Sequence, residues 1–161
     1  YPEITKRAVE QGCEIGNHSY NHQDLTKVDT EELSWQTTYT NAAVRKAADG
    51  YEVRLVRPTY GAVNALMSEN IPYPFITWSV DTLDWKYRNK DHVVNSVLDT
   101  VKDGDIILMH DLYDSTAQAC EVIIPELIKR GYQLVTVSEL MHYRQIELEN
   151  GVRYGQARPK K

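Results

Sequence analysis

Residues 91–110, Asp91-His92-Val93-Val94-Asn95-Ser96-Val97-Leu98-Asp99-Thr100-Val101-Lys102-Asp103-Gly104-Asp105-Ile106-Ile107-Leu108-Met109-His110, change their apolar period once, and that change sets the fold class. Over 91–101, Val93, Val94, Val97, Leu98 and Val101 fall on one helical face. Lys102-Asp103-Gly104 makes a turn, and 105–109 follows as a short apolar strand with no alternation, the mark of a strand covered on both faces. A one-sided helix feeding a fully buried strand argues for an α/β fold with parallel strands.

The same alternation extends in both directions. Residues 2–11 read as a helix with Pro2 in its first turn and Gly12 as its stop, and 13–16 as a short strand. Residues 30–48 read as a longer helix: Asp29 caps it, Glu32 completes a capping-box pattern, and Gly50 lies just beyond. Strands are expected at 53–56, stopped by Pro58, and at 75–80, opened by Pro74, with a short helix at 62–69 between them. A helix at 117–129 closed by Gly131, a strand at 133–137 and a helix from Ser138 complete the chain. There is no linker, repeat or low-complexity stretch, and 161 residues suit one domain.

Composition narrows the function classes. A formal charge of −5 with no basic stripe argues against nucleic acid. The one basic run, Arg158-Pro159-Lys160-Lys161, reads as a solvated terminus. No apolar run approaches the ~18 residues that span a bilayer. No signal-peptide pattern opens the chain, and Tyr1 leads directly into a helix without an initiator Met, so a longer parent is expected. Cys13 and Cys120 make neither a disulfide framework nor a metal knuckle and read as buried free thiols rather than a bridge.

The polar clusters sit just after the strands: Asn17 to His22, Arg57 to Gly61, Asp81 to Trp85, and His110-Asp111. In α/β barrels the loops at the C-terminal strand ends converge on the active site. His18 and His22 are four apart, and a helical turn would put both imidazoles on one face around one metal ion. Alone, that pair is more often surface or packing histidine; the preceding strand and Ser19 favour ligation. Such a site wants a further ligand, commonly a carboxylate. Asp24 is near but better suited to capping the turn before Leu25.

Arg57 could fix a carboxylate through two parallel hydrogen bonds or make an ordinary salt bridge. Tyr60-Gly61 could aim a backbone N–H at a developing oxyanion. Asp81 and Asp84 precede Trp85, whose ring could wall a sugar site. Asp81 suits a loop cap as well as a catalytic role, and Asp84 can orient His110. His110 ends an apolar strand, so it is either a core residue or a general acid, and Asp84 tips the reading to the acid. His92 and His142 receive no role.

Together these residues resemble the NodB-homology polysaccharide deacetylases, carbohydrate esterase family four, and especially their peptidoglycan N-acetylglucosamine deacetylase branch. The resemblance covers essentially the whole chain and carries four of five ordered motifs. Residues 14–22 resemble the second, H-[ST]-x-x-H. Arg57 to Gly61 resembles the third, R-x-P-Y, with Thr59 where proline is usual. Asp81 to Trp85 resembles the fourth, D-x-x-D-W, and Leu108-Met109-His110 the fifth, L-x-H. The first, T-F-D-D-G-P, has no equivalent in the sequence.

The resemblance implies a distorted (β/α) barrel, incomplete on its N-terminal side, with residues 1–161 the C-terminal major part of one deacetylase domain. It implies a divalent metal, zinc first and cobalt, nickel, manganese or iron as alternatives, held by His18, His22 and an Asp of the absent motif. The tetrahedral oxyanion would meet the Tyr60 backbone N–H. His110, oriented by Asp84, would protonate the leaving amine, Arg57 would tether the absent base, and Trp85 and Leu108 would line the acetyl pocket. His18, His22, Arg57, Asp84 and His110 are thus expected around one cation. The implied substrate is an N-acetylglucosamine cell-wall polysaccharide, peptidoglycan first, deacetylated outside the cell or at its surface by a parent that is membrane-anchored through its N-terminal part. The missing segment would be a separate chain after cleavage or simply lie upstream; without it, an exposed strand edge should make the fragment sticky. The competing readings are an O-acetyl xylan esterase of the same family and an inactive carbohydrate-binding remnant.

Overall fold

The computed structural model describes residues 1–159 and divides the chain into two compact units. The first comprises Tyr1–Thr77 and Glu147–Tyr154. It contains α1 (Pro2–Glu10), α2 (Thr30–Ala47), α3 (Ala65–Asn70), β1 (Phe75–Ile76) and, near the chain's end, β4 (Arg153–Tyr154). Asp29 caps α2 by accepting the Glu32 N–H, while the Glu32 carboxylate accepts from Gln36. Leu25, Leu33, Val56, Met67, Ile71 and Phe75 form the core of this unit.

The expected strands at 13–16 and 53–56 shrink to single parallel bridges, Asn17 with Val56 and Val56 with Phe75. Pairing ends there because the chain turns away at once: Ser19 is left-handed, and Pro58 has no N–H to donate. β1 pairs in parallel with β4, a strand that no apolar run announced.

The second unit comprises Trp78–Ile146 and the residues from Gly155. It contains β2 (Val80–Asp81), α4 (Asp84–Tyr87), α5 (Lys90–Leu98), β3 (Ile107–Leu108), α6 (Asp114–Lys129) and α7 (Val137–Tyr143). β2 and β3 pair in parallel, and Val80, Val93, Val97, Ala119, Ile123 and Leu127 form the core. The anticipated stripe of α5 is the buried one.

The single strand expected over 75–80 is broken in two. The Thr77 N–H bonds to the Tyr154 carbonyl, whereas the Ser79 and Val80 N–H groups bond to the Ile106 carbonyl, so the two ends take different partners. The strand expected at 133–137 does not form. Thr136 instead caps α7 in a reciprocal box with Glu139, which commits its backbone to starting a helix.

The basic tail is not simply solvated. Arg158 pairs with Asp105, whose side chain is fully buried; Lys160 and Lys161 lie outside the described residues. The neighbouring Ala157 N–H bonds to the Gly104 carbonyl. Gly104 is left-handed, and a Cβ there would collide with the Ala157 backbone. Both cysteines are free, but Cys13 is exposed rather than buried, since the strand meant to cover it is absent. Cys120 is partly buried and directs its thiol at the Met109 sulfur. Among the described residues no helix is long and apolar enough to cross a membrane.

Candidate active site

In the first unit the two histidines do meet, though not on a helical turn. Residues 18–22 form a loop in which Ser19 and His22 have φ of 64° and 63°. Left-handed backbone at non-glycine residues costs about 1–3 kcal/mol each and persists where surrounding contacts enforce it. Those contacts come from side-chain amides. Buried Asn17 donates to the Thr37 carbonyl and to Asn41 and accepts the Ser19 N–H. Gln36, fully buried on α2, accepts the Tyr20 and Asn21 N–H groups and donates to Asn21, Gln23 and Glu32. The result sets the two imidazoles edge-to-face with centroids 4.9 Å apart.

The His18 ring is fixed further. Its Nδ1 lies 2.5 Å from the Arg57 carbonyl, which can only accept, so Nδ1 carries the hydrogen. Arg57 thus meets His18 through its backbone carbonyl. Tyr60 packs edge-on against His22 at 5.1 Å within a left-handed turn (φ 58°), and Thr59 ties that turn to the Gln23 carbonyl.

The donor set fits a divalent cation as two of its ligands: two imidazoles, one with its tautomer set, beside a buried Ser19 hydroxyl that has no partner among the described residues. No third His, Cys, Asp or Glu joins them among the described residues. Asp24 is occupied instead. It caps the turn at Leu25–Lys27 and pairs with Lys27, and hydrogen bonds from Thr26 above all hold its carboxyl low.

The second unit places Asp84 and His110 together. Asp84 has no exposed side-chain surface and receives four hydrogen bonds: from the His110 ring (2.7 Å), the His110 N–H (2.6 Å), the Thr116 hydroxyl (2.9 Å) and the Trp85 N–H (2.9 Å). Burial is the largest single influence and pushes its pKa up, yet the His110 and Thr116 hydrogen bonds together outweigh it and leave the carboxyl below the ordinary value. An ionised Asp84 accepts from Nδ1–H and leaves Nε2 of His110, whose side chain is 24% exposed, to reach outward. His110 is therefore not a core residue.

Asp81 resolves as a loop cap, accepting the N–H of left-handed Leu83. Leu108 is buried on β3, its carbonyl receiving the Thr82 hydroxyl, and Trp85 is half exposed. Gln36, Asn41 and Thr116 were missed from the sequence. Gln36 had a faint signal, a polar residue three after Leu33 on the buried face of α2. Thr116 had none, because only the tertiary fold brings it to Asp84.

The polysaccharide deacetylase family matches residues 1–73. The peptidoglycan-N-acetylglucosamine deacetylase PgdA of Listeria monocytogenes is 44% identical over 139 residues, covering 86% of this chain but 30% of its own length, so the chain spans under a third of that relative. A solved T48 deacetylase with substrate aligns at TM-score 0.91 with 38% identity, covering 96% of this chain and 76% of its own. A family 4 acetyl xylan esterase from Clostridium thermocellum, in complex with a cobalt ion, aligns at 0.90 with 28% identity, covering 96% and 78%. The α/β fold read from the alternation of helices and strands is the NodB-type (β/α) fold of these enzymes. With a solved deacetylase matched at that identity over most of both chains, and its own histidines and Asp84–His110 pair built as described, the chain belongs to the polysaccharide deacetylase family.

Proposed function

We propose that this chain is the larger part of a metal-dependent hydrolase domain that removes N-acetyl groups from N-acetylglucosamine units of a cell-wall polysaccharide, peptidoglycan first. The observation that carries the reading is the buried Asp84 holding Nδ1 of a partly exposed His110. A structural histidine has no need of a fully enclosed, four-fold hydrogen-bonded carboxylate behind it, whereas a proton donor does.

His18, through Nε2, and His22 would hold the cation, zinc in this reading, with cobalt, nickel, manganese or iron able to replace it. When bound, such an ion supplies Lewis acidity toward the acetamide carbonyl and a more acidic water. An Asp-Asp segment upstream of Tyr1, on the same or a separate chain, completes the ligands and provides the base, which Arg57 tethers. Water adds to the acetamide carbon, and the Tyr60 N–H meets the carbonyl oxygen as it gains charge. The C–N bond then breaks, acetate leaves, and His110 Nε2 gives its proton to the departing amine while Asp84 keeps the ring aligned. Trp85 offers a flat face to the pyranose, and Leu108 an apolar wall for the methyl group. The work is done at the cell surface or outside the cell.

Acetate release by the full-length protein from an N-acetylglucosamine oligomer and from acetylxylan tests this. The oligomer should be favoured, and His110→Ala should lower its rate by roughly 10²–10⁴-fold. A His110→Ala protein that keeps its rate takes His110 out of the mechanism. The likeness to an acetyl xylan esterase supports a second reading, O-deacetylation of xylan, which the same assay would reveal as the preferred reaction.

A further inference from the structure

On α2, Trp35 and Tyr39 are one turn apart, and Tyr20 of the histidine loop joins them. The Tyr20 ring stands edge-on to Trp35 at 4.7 Å, and Trp35 leans on Tyr39 at 5.2 Å. These rings do not serve the core of their unit: Tyr20 is 55% and Tyr39 57% exposed. Gln36, beside Trp35, holds the Tyr20 backbone, so the platform is anchored by the same amide that shapes the histidine loop. Three rings pinned to one another in water form a rigid apolar face of the kind that packs on sugar rings at little entropic cost.

At its end lies a cleft of about 540 Å³ lined by Trp35, Asn21, Asp29, Glu31 and Glu32. Asp29 and Glu32 have structural partners in the helix cap and Gln36. Glu31 is exposed in the first turn of α2, where the helix dipole also favours a carboxylate. A lining of carboxylates without Lys or Arg offers little to a neutral N-acetylated sugar. It suits an ammonium group, which the indole face also attracts.

We propose that Tyr20, Trp35 and Tyr39 with this cleft form a glycan subsite for a hexosamine unit bearing a free amine. The proposal rests on the deacetylase reading above, because such a unit is the product of that reaction, and Tyr20 lies in the chain between His18 and His22. A chain already deacetylated at one sugar would then be held for attack at another.

The test is calorimetric titration of the full-length protein, at mildly acidic pH, with a glucosamine tetramer, which has no acetyl group to lose, and with its N-acetylated counterpart. The amine form should bind more tightly, with an advantage that shrinks as salt rises. Trp35→Ala should weaken it roughly tenfold, and Trp35→Phe should restore most of that. Glu31→Gln, an exposed change with no folding risk, should erase several-fold of the preference for the amine. Wild-type binding that favours the N-acetylated tetramer overturns the subsite, as does Trp35→Ala binding the amine form undiminished, or a preference that Glu31→Gln leaves intact. Acetate release is measured alongside: its absence with amine binding preserved would sink the proposed reaction and spare the subsite.

Discussion

The two units hold their candidate histidines in different ways. In the first, His18 and His22 sit on a loop whose left-handed turns are imposed by Asn17 and Gln36, and the Arg57 carbonyl sets the tautomer of His18. In the second, His110 is held by a carboxylate whose oxygens are wholly occupied inside the protein. A pair of metal ligands needs a shaped loop and a set tautomer, which Asn17, Gln36 and the Arg57 carbonyl provide here. A proton donor must keep one tautomer and one orientation, so its surroundings grip the ring itself.

The largest effect that separates the two should come from Asp84→Ala. It strands the His110 N–H, the His110 ring and the Thr116 hydroxyl at once, and urea unfolding should show a loss of about 3–5 kcal/mol. If that variant unfolds like wild type, the carboxylate is not the centre of the second unit that its hydrogen bonds indicate.

Gln36→Ala should act more mildly, by about 1–3 kcal/mol in the same measurement, because solvent can reach some of the groups it releases. Its distinctive consequence is on the histidines: cation affinity of the full-length protein should fall about 10–100-fold, as for other groups that orient a ligand from behind. Calorimetric titration with zinc checks this, and unchanged affinity would mean that the loop holds its shape without the amide.

The smallest effect is on acid stability. Asp84 is held below its ordinary 3.8, so the stability it contributes is fully present above that pH and disappears as pH falls through the lower folded-state value. The share of the gap between the unfolding curves of wild type and Asp84→Asn that comes from the Asp84 charge should be lost only as pH falls below about 4. Convergence at higher pH would point to a different titrating group.

The helices and the candidate site residues were legible because each is written locally. Val93 and Val97 of α5, the Asp29 cap of α2 and the Gly12 stop of α1 depend only on neighbours within a turn or two. The strands were less legible. An apolar run says that a segment is buried and not what it pairs with, so 75–80 split between two partners, 133–137 went to a helix cap, and Arg153–Tyr154 entered as a strand unannounced.

What the sequence determined by itself was the alternation of helix and strand and the residue types His18, His22, Arg57, Asp84 and His110 placed after successive strands. What only the tertiary structure decided was how those residues are held. The H-x-x-x-H spacing suggested a helical turn, and the fold instead supplied a strained loop pinned by Gln36 from a helix more than a dozen residues away. The Arg57 carbonyl sets the tautomer of His18, a contact that no reading of its side chain anticipates. Thr116 reached Asp84 from 32 residues along the chain. The reason is physical: residue chemistry and helical period are short-range properties of a chain, whereas the partner of a buried polar group is whatever the packed fold brings within hydrogen-bond reach.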